Sequence, residues 1–77
     1  MEKMHDYLLL KGFECFAKYK DTLGSYITEY FKSENRVAII ENIDNYQIMV
    51  YYNKRFDNFT VPLNDDIGAE KLKEVII

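Results

Sequence analysis

Residues 36–63 constrain the fold most, because three apolar runs follow one another there with turn-forming residues between them. β-Branched and aromatic residues alternate with polar ones along each run, which is the pattern of half-buried antiparallel strands. Asp44 and Asn45 fit a two-residue hairpin loop between the first two strands, since both tolerate a positive φ. The segment therefore predicts a three-stranded antiparallel meander.

The predicted register pairs Ile39 with Val50 and Val37 with Tyr52, so the sheet has two distinct faces. One face collects the larger apolar side chains: Val37, Ile39, Ile43, Tyr46, Ile48, Val50, Tyr52, Phe59, Val61 and Leu63. The other face carries Ala38, Ile40, Gln47, Met49, Tyr51, Asn58 and Thr60. This second face is more apolar than a solvated face needs to be. Pro62 lacks an amide hydrogen, which predicts that the third strand is an edge strand.

Two helices are predicted before the sheet. In residues 2–19, Leu9, Phe13 and Phe16 step by four and three residues and form one apolar stripe. Asp21 or Thr22 then caps a second helix that runs to about residue 33. The apolar positions of that helix are Leu23, Tyr26, Ile27, Tyr30 and Phe31.

Two alternatives stay open for this region. Residues 7–16 could form a strand, although their polar and apolar residues do not alternate cleanly. Alternatively, residues 5–33 form one long helix with an apolar seam, which would suit an antiparallel bundle that dimerises. That seam contains Leu9, Phe13, Phe16, Leu23, Ile27 and Tyr30.

A short helix is predicted to close the chain. Asn64, Asp65 and Asp66 supply capping side chains for a helix that ends near Val75. Its predicted buried residues are Ile67, Ala69, Leu72 and Ile76. The chain as a whole, residues 1–77, is thus predicted to be a single small α+β domain in the order ααβββα: two N-terminal helices, a three-stranded antiparallel β-meander and a short C-terminal helix.

Composition argues against several functions. A net charge of −3 speaks mildly against a nucleic-acid-binding protein, which usually carries a basic excess. The single cysteine, Cys15, cannot form an intramolecular disulfide and has no cysteine or histidine cluster around it for zinc, so a reducing, cytoplasmic setting is expected. The longest apolar run, residues 8–10, is far shorter than the roughly 18 residues of a membrane span. No membrane association is expected.

Enzyme chemistry also finds little support. Ten residues separate His5 from Cys15 on the predicted helix, a rise of roughly 15 Å, which is beyond hydrogen-bond reach. Asp65 and Asp66 look like a carboxylate pair, but acidic residues are favoured at a helix N-terminus for capping and dipole reasons. No glycine-rich phosphate loop occurs. The sequence therefore predicts no catalytic residue, no metal site and no cofactor.

Two surface features are left over once folding is accounted for. The first is a hairpin tip, where Lys54 and Arg55 lie beside Tyr51 and Phe56. Exposed aromatic rings next to cations can stack on the bases of single-stranded nucleic acids. Two positive charges attract phosphate only weakly, however, and arginine and tyrosine are also typical of protein-interface hot spots.

The second feature is the half-apolar face around Ile40, Met49 and Tyr51. Either a helix covers it, in a three-layer arrangement, or it is a patch that requires a partner or a second copy of the chain.

We therefore expect a non-catalytic protein-interaction module, acting as a small adaptor or as an inhibitor of a larger macromolecular machine, with a homodimer as one form. The predicted partner-binding residues are Ile40, Met49, Tyr51, Lys54, Arg55 and Phe56. The alternative is a single-stranded nucleic-acid-binding protein that uses the hairpin tip. By size and composition alone, such a short, acidic, cysteine-poor chain is typical of accessory proteins of phages and mobile elements.

Overall fold

A computed structural model describes residues 3–77 of the chain. Helix α1 spans Lys3–Leu10 and helix α2 spans Asp65–Val75. Between them lie five strands: β1 Glu14–Lys20, β2 Tyr26–Lys32, β3 Asn35–Glu41, β4 Asn45–Tyr52 and β5 Arg55–Pro62. All pairings are antiparallel and the strand order is β1-β2-β3-β4-β5, so each strand pairs with the next one along the chain. Both helices pack on the same face of this sheet.

The predicted order ααβββα is wrong in its N-terminal half. Helix α1 ends at Leu10, and residues 14–32, predicted to be helical apart from a break near residues 20–22, form the β1–β2 hairpin. The sheet consequently has five strands instead of three, and the alternative of one helix over residues 5–33 is excluded as well. Position 2, where the predicted first helix begins, lies outside the described residues.

Gly12 explains why α1 stops so early. Its φ of +92° lies in the region that glycine enters without the strain of a Cβ. The amide of Gly12 donates to the carbonyl of Leu9 (3.0 Å), and that of Phe13 donates to the carbonyl of Leu8 (2.9 Å). These two bonds form a Schellman motif, and the buried side chains of Leu8 and Phe13 supply its usual hydrophobic contact. Gly12 therefore turns the chain directly into the sheet.

The β3–β4 pairing differs in register from the prediction but keeps its faces. Val37 lies opposite Val50, two residues from its predicted partner Tyr52. The shift arises because the turn is centred one residue earlier than predicted, on Ile43 and Asp44, where the amide of Asn42 donates to the carbonyl of Asn45 (2.8 Å). An even shift leaves each side chain on its predicted face.

The β4–β5 connection is a tight turn at Asn53 and Lys54, whose φ angles are +52° and +64°. Two consecutive positive φ values are those of a type I′ hairpin turn. Strand β5 ends the sheet and carries Pro62, which confirms the prediction that this strand is an edge strand.

The core lies between the sheet and the two helices. Its buried residues are Met4, Leu8, Phe13, Tyr30, Val37, Ile39, Ile48, Val50, Val61, Ala69, Leu72 and Ile76. Three residues predicted to be buried are exposed instead, namely Ile43, Leu63 and Ile67. Ile43 lies in the β3–β4 loop and Leu63 follows the end of β5, so neither belongs to a strand that the helices cover.

Helices α1 and α2 pack closely against each other. A Cβ added to Gly68 would lie 2.3 Å from Sδ of Met4, so the absence of a side chain at Gly68 makes room for Met4. Asn64 caps α2, as predicted, by accepting from the amides of Asp66 and Ile67. The Asp65 carboxylate instead caps α1: it accepts from the amides of Lys3 and Met4, the latter at 3.0 Å.

Candidate functional site

The side of the sheet away from the helices, which we call the open face, is uncovered in the described part of the chain. It consists of Glu14, Phe16, Ala17, Tyr19, Ile27, Glu29, Phe31, Arg36, Ala38, Ile40, Asn45, Gln47, Met49, Tyr51, Phe56, Asn58, Thr60 and Pro62. Most of these residues are apolar or aromatic, as on a sheet face that packs against another layer of the protein or against a partner. Of the two alternatives considered for this face, the three-layer arrangement with a helix over it is not found.

Aromatic side chains form one border of the open face. Phe31, Arg36, Tyr51 and Phe56 lie opposite one another on successive strands and make a continuous cross-strand row. Phe16 extends this row, because a register irregularity between Cys15 and Ala17 turns the Phe16 ring towards Phe31, with the ring centroids 5.6 Å apart. Phe16 and Phe56 are 52 % and 57 % exposed, so the sheet itself buries only half of each ring.

A shallow groove of about 370 Å³ crosses the open face beside this row. Phe16 lies at one end, Phe56 at the other, and the small side chain of Ala38 lies between them. Met49 and Tyr51 also contribute to its lining. A concave, mostly apolar surface of this kind can accept protruding apolar side chains.

The open face also carries charged side chains, among them Glu29 on β2 and Arg36 in the aromatic row. The Tyr19 hydroxyl donates to Oε2 of Glu29 at 2.5 Å, and this bond raises the pKa of the Tyr19 phenol because it favours the protonated form. Arg36 lies on the neighbouring strand with its guanidinium 5.6 Å from the centre of the Phe31 ring. Nη1 of Arg36 donates to the carbonyls of Ser33 (2.7 Å) and Asn35 (2.8 Å).

The structure brings four of the six predicted partner-binding residues together and separates the other two. Ile40, Met49, Tyr51 and Phe56 all lie on the open face. Lys54 lies in the β4–β5 turn, beyond the end of the sheet.

Arg55 points to the helix side of the sheet. It lies opposite Tyr52, whose ring packs against the core, and its Nε is 3.4 Å from Oδ2 of Asp57. The predicted hairpin tip is therefore not one cluster of rings and cations, because Arg55 faces away from Tyr51 and Phe56.

Sequence reasoning missed the half of the open face that β1 and β2 supply. The missed residues of these two strands are Phe16, Tyr19, Ile27 and Phe31, and Arg36 on β3 was missed as well. Two signals could have found them: the aromatic and β-branched content of residues 26–31, and the turn-forming residues that precede it. The cation beside the aromatic row is Arg36, at the start of β3, and not Arg55.

A small polar cavity lies on the helix side of the sheet. It holds about 70 Å³ between α1 and the sheet, and its lining includes His5, Tyr30, Glu41 and Asp65. Nδ1 of His5 lies 2.7 Å from the Tyr30 hydroxyl oxygen. This volume has room for about two waters, whereas small-molecule sites usually measure roughly 300 Å³ or more. Cys15 does not line the cavity, and residues 3–77 contain no group of three side chains that could hold a metal ion.

Comparison with protein-family models, curated proteins and solved structures found no match to this chain. Within residues 3–77, neither helix has the length or the apolar run that a bilayer-spanning segment requires.

Proposed function

We propose that this protein is a non-catalytic interaction module that binds a second copy of itself through the open face. The observation that supports this most strongly is the position of both helices on one side of the five-stranded sheet, whose other face is mostly apolar. Strand spacings of about 4.8 Å and residue spacings of about 3.3 Å give the open face an area of roughly 550 Å². A largely apolar surface of this size is at the upper end of what monomers expose, and such surfaces often mark interaction sites.

The charges on the open face favour a second copy over an unrelated partner. Glu29 and Arg36 are diagonal neighbours on β2 and β3, since Glu29 lies opposite Ala38 and Arg36 is two residues before it. A two-fold axis that passes between them brings each carboxylate to the guanidinium of the other copy, as a self-complementary interface requires. Glu29 and Arg36 of each copy thus form two ion pairs between the copies.

Both side chains are oriented for such a pair. Tyr19 holds Oε2 of Glu29, which leaves Oε1 to accept from an incoming donor. Among residues 3–77, nothing accepts from Nε or Nη2 of Arg36. These two nitrogens form the edge of a guanidinium that binds a carboxylate through two parallel hydrogen bonds.

The size of the open face sets the expected strength. A stable complex usually buries about 800 Å² on each partner, which is more than the roughly 550 Å² available here. We therefore expect a weak dimer that depends on concentration.

Charge exchange tests the proposal most directly. In sedimentation equilibrium from about 10 µM to 1 mM, the wild-type chain should shift from monomer to dimer. Glu29→Arg and Arg36→Glu should each abolish the shift by placing like charges opposite each other, and the double variant should restore it. Met49→Glu should abolish it while leaving the circular dichroism spectrum unchanged.

Lys54→Glu is the matched control, because it reverses an exposed charge that lies beyond the sheet. It should leave the dimer unchanged. A wild-type chain that stays monomeric at the highest concentration would refute the proposal, as would a double charge exchange that fails to restore association.

A single-stranded nucleic-acid-binding function is the second candidate. Arg36 beside Phe31 and Tyr51 favours it, because rings and a guanidinium together can stack on unpaired bases. Salt-sensitive oligonucleotide binding that Arg36→Ala plus Tyr51→Ala abolishes would assign the open face to nucleic acid. The absence of oligonucleotide binding at low salt would exclude this candidate.

The biological role proposed for the module is that of an adaptor or an inhibitor of a larger macromolecular machine in the cytoplasm. The single cysteine fits a reducing compartment. Short length and acidic composition support an accessory protein of a phage or mobile element by association only.

A further inference from the structure

A second exposed apolar surface lies at one end of the sheet, away from the open face. We call it the loop end: it comprises the β1–β2 loop (residues 21–25), the β3–β4 loop (residues 42–44) and Leu63. Leu23 and Ile43 are each 90 % exposed, although leucine and isoleucine are usually buried. Together with Tyr26 and Leu63 they line a groove of about 670 Å³.

Hydrogen bonds hold the two loops in place. Oδ1 of Asp21 accepts from the amides of Leu23 and Ser25, both at 2.9 Å. The Ser25 hydroxyl then joins the loops by donating to Oδ1 of Asn42 at 2.6 Å, and Nδ2 of Asn42 donates to Oδ1 of Asn45 at 3.0 Å. Leu23 and Ile43 are therefore presented on an ordered base, which lowers the entropy cost of binding.

The charges at the loop end are mainly acidic. Asp21, Glu41 and Asp44 lie in or beside the two loops. The nearby Lys20 lies over the ring of Tyr26, with Nζ 5.5 Å from the ring centre. An apolar groove with an acidic border attracts positive charge and repels anionic surfaces.

We infer that the loop end binds a cationic, amphipathic segment of a partner protein, whose aliphatic side chains fill the groove between Leu23 and Ile43. Lysines or arginines that flank those side chains would face Glu41 and Asp44. A lipid surface fits less well, because cell membranes expose anionic headgroups that this border repels. The loop end is separate from the open face, so this inference does not depend on the proposed dimer. If both hold, each dimer would carry two such ends, as an adaptor requires.

A designed peptide tests the inference. The probe is a synthetic helix of about 18 residues with leucines on one face and lysines on the other, titrated by calorimetry into the full chain. A matched peptide with glutamates in place of the lysines is the charge control. We expect binding of the lysine peptide only, and weaker binding when the salt is raised from about 50 to 300 mM.

Variants then locate the site. Leu23→Ser with Ile43→Ser should weaken binding at least about tenfold, and the fold should survive because both side chains are exposed. Glu41→Gln with Asp44→Asn should weaken it several-fold at low salt. Leu10→Ser, at a similarly exposed leucine on α1 (82 %), should leave the affinity unchanged.

The inference is overturned if the lysine peptide does not bind at low salt, or if Leu10→Ser weakens binding as much as the loop variants do. Tighter binding of the glutamate peptide would contradict the charge argument. Sedimentation with phosphatidylcholine vesicles, if abolished by the Leu23 and Ile43 substitutions, would assign the loop end to lipid instead.

Discussion

The two faces of the sheet are built from the same strands and have similar composition, yet only one is buried. Along β3 and β4, Val37, Ile39, Ile48 and Val50 point towards the helices and are almost fully buried. Residues between them, such as Ala38 and Met49, point the other way and are only half-buried. The helices account for the apolar residues of the first face, whereas nothing in residues 3–77 accounts for those of the second. An apolar composition alone therefore does not identify a core.

The largest expected difference between the two faces is in the free energy of unfolding that is lost when either of two adjacent residues of β4 is truncated. Ile48→Ala should lower the free energy of unfolding by about 2–5 kcal/mol, because it leaves a cavity in a fully buried site. Met49→Ala, one residue along on the open face, should cost less than about 1 kcal/mol. Urea denaturation measures both. Equal losses would mean that the open face is packed as tightly as the core.

Gly12→Ala tests the turn that leads the chain from α1 into the sheet. A Cβ at a φ of +92° is strained, so we expect a loss of about 1–2 kcal/mol in the free energy of unfolding. Gly12→Asn should lose less, since asparagine enters positive φ more easily. Thermal unfolding should show that Gly12→Ala is less stable than Gly12→Asn. An alanine variant as stable as wild type would contradict this expectation.

Asp65→Ala probes the contact that joins the two helices. It removes the acceptor for the amides of Lys3 and Met4, which should cost about 1 kcal/mol, as loss of a helix N-cap does. Asp66→Ala is the control, because it removes only the exposed ion pair with Lys3 and should change stability little. Urea denaturation should rank Asp65→Ala as the more damaging of the two.

The smallest expected effect is on the open face, and it is a change in the pKa of Tyr19 rather than in the free energy of unfolding. The hydrogen bond to the Glu29 carboxylate raises the pKa of Tyr19 above its ordinary value of 10.0, so this bond favours the folded state below pH 10 and is lost as the pH rises through the raised pKa. Glu29→Gln should lower the pKa of Tyr19, as followed by NMR of its ring carbons. Glu14→Gln, at the edge of the same sheet, should leave that titration unchanged.

The apolar character of the open face also explains why part of the fold could not be predicted from the sequence. Residues 36–63 alternate clearly enough to give the faces of β3–β5, and Asn64 marks the start of α2. In β2, however, Ile27 and Phe31 face away from the helices while Tyr30 faces the core. Apolar side chains on both faces remove the period of two, and their spacings of three and four then imitate a helix.

The candidate site, like the fold, could be predicted from the sequence only in part. Ile40, Met49, Tyr51 and Phe56 stood out because strand parity placed them opposite the core. Arg55 and Lys54 were grouped with them by nearness in sequence, which does not fix a face. The role of Phe16 depends on a register irregularity that no local pattern indicates.

The capping of α1 by Asp65 makes the folding of one helix depend on the other. Helices shorter than about 12 residues are marginal in water, and α1 obtains its N-terminal cap from a residue 62 positions later. The strands need no such distant partner, because each pairs with its neighbour in sequence. A chain in which α2 has not yet docked therefore leaves both faces of its sheet exposed, and the docking of α2 covers one face and caps α1 in the same step.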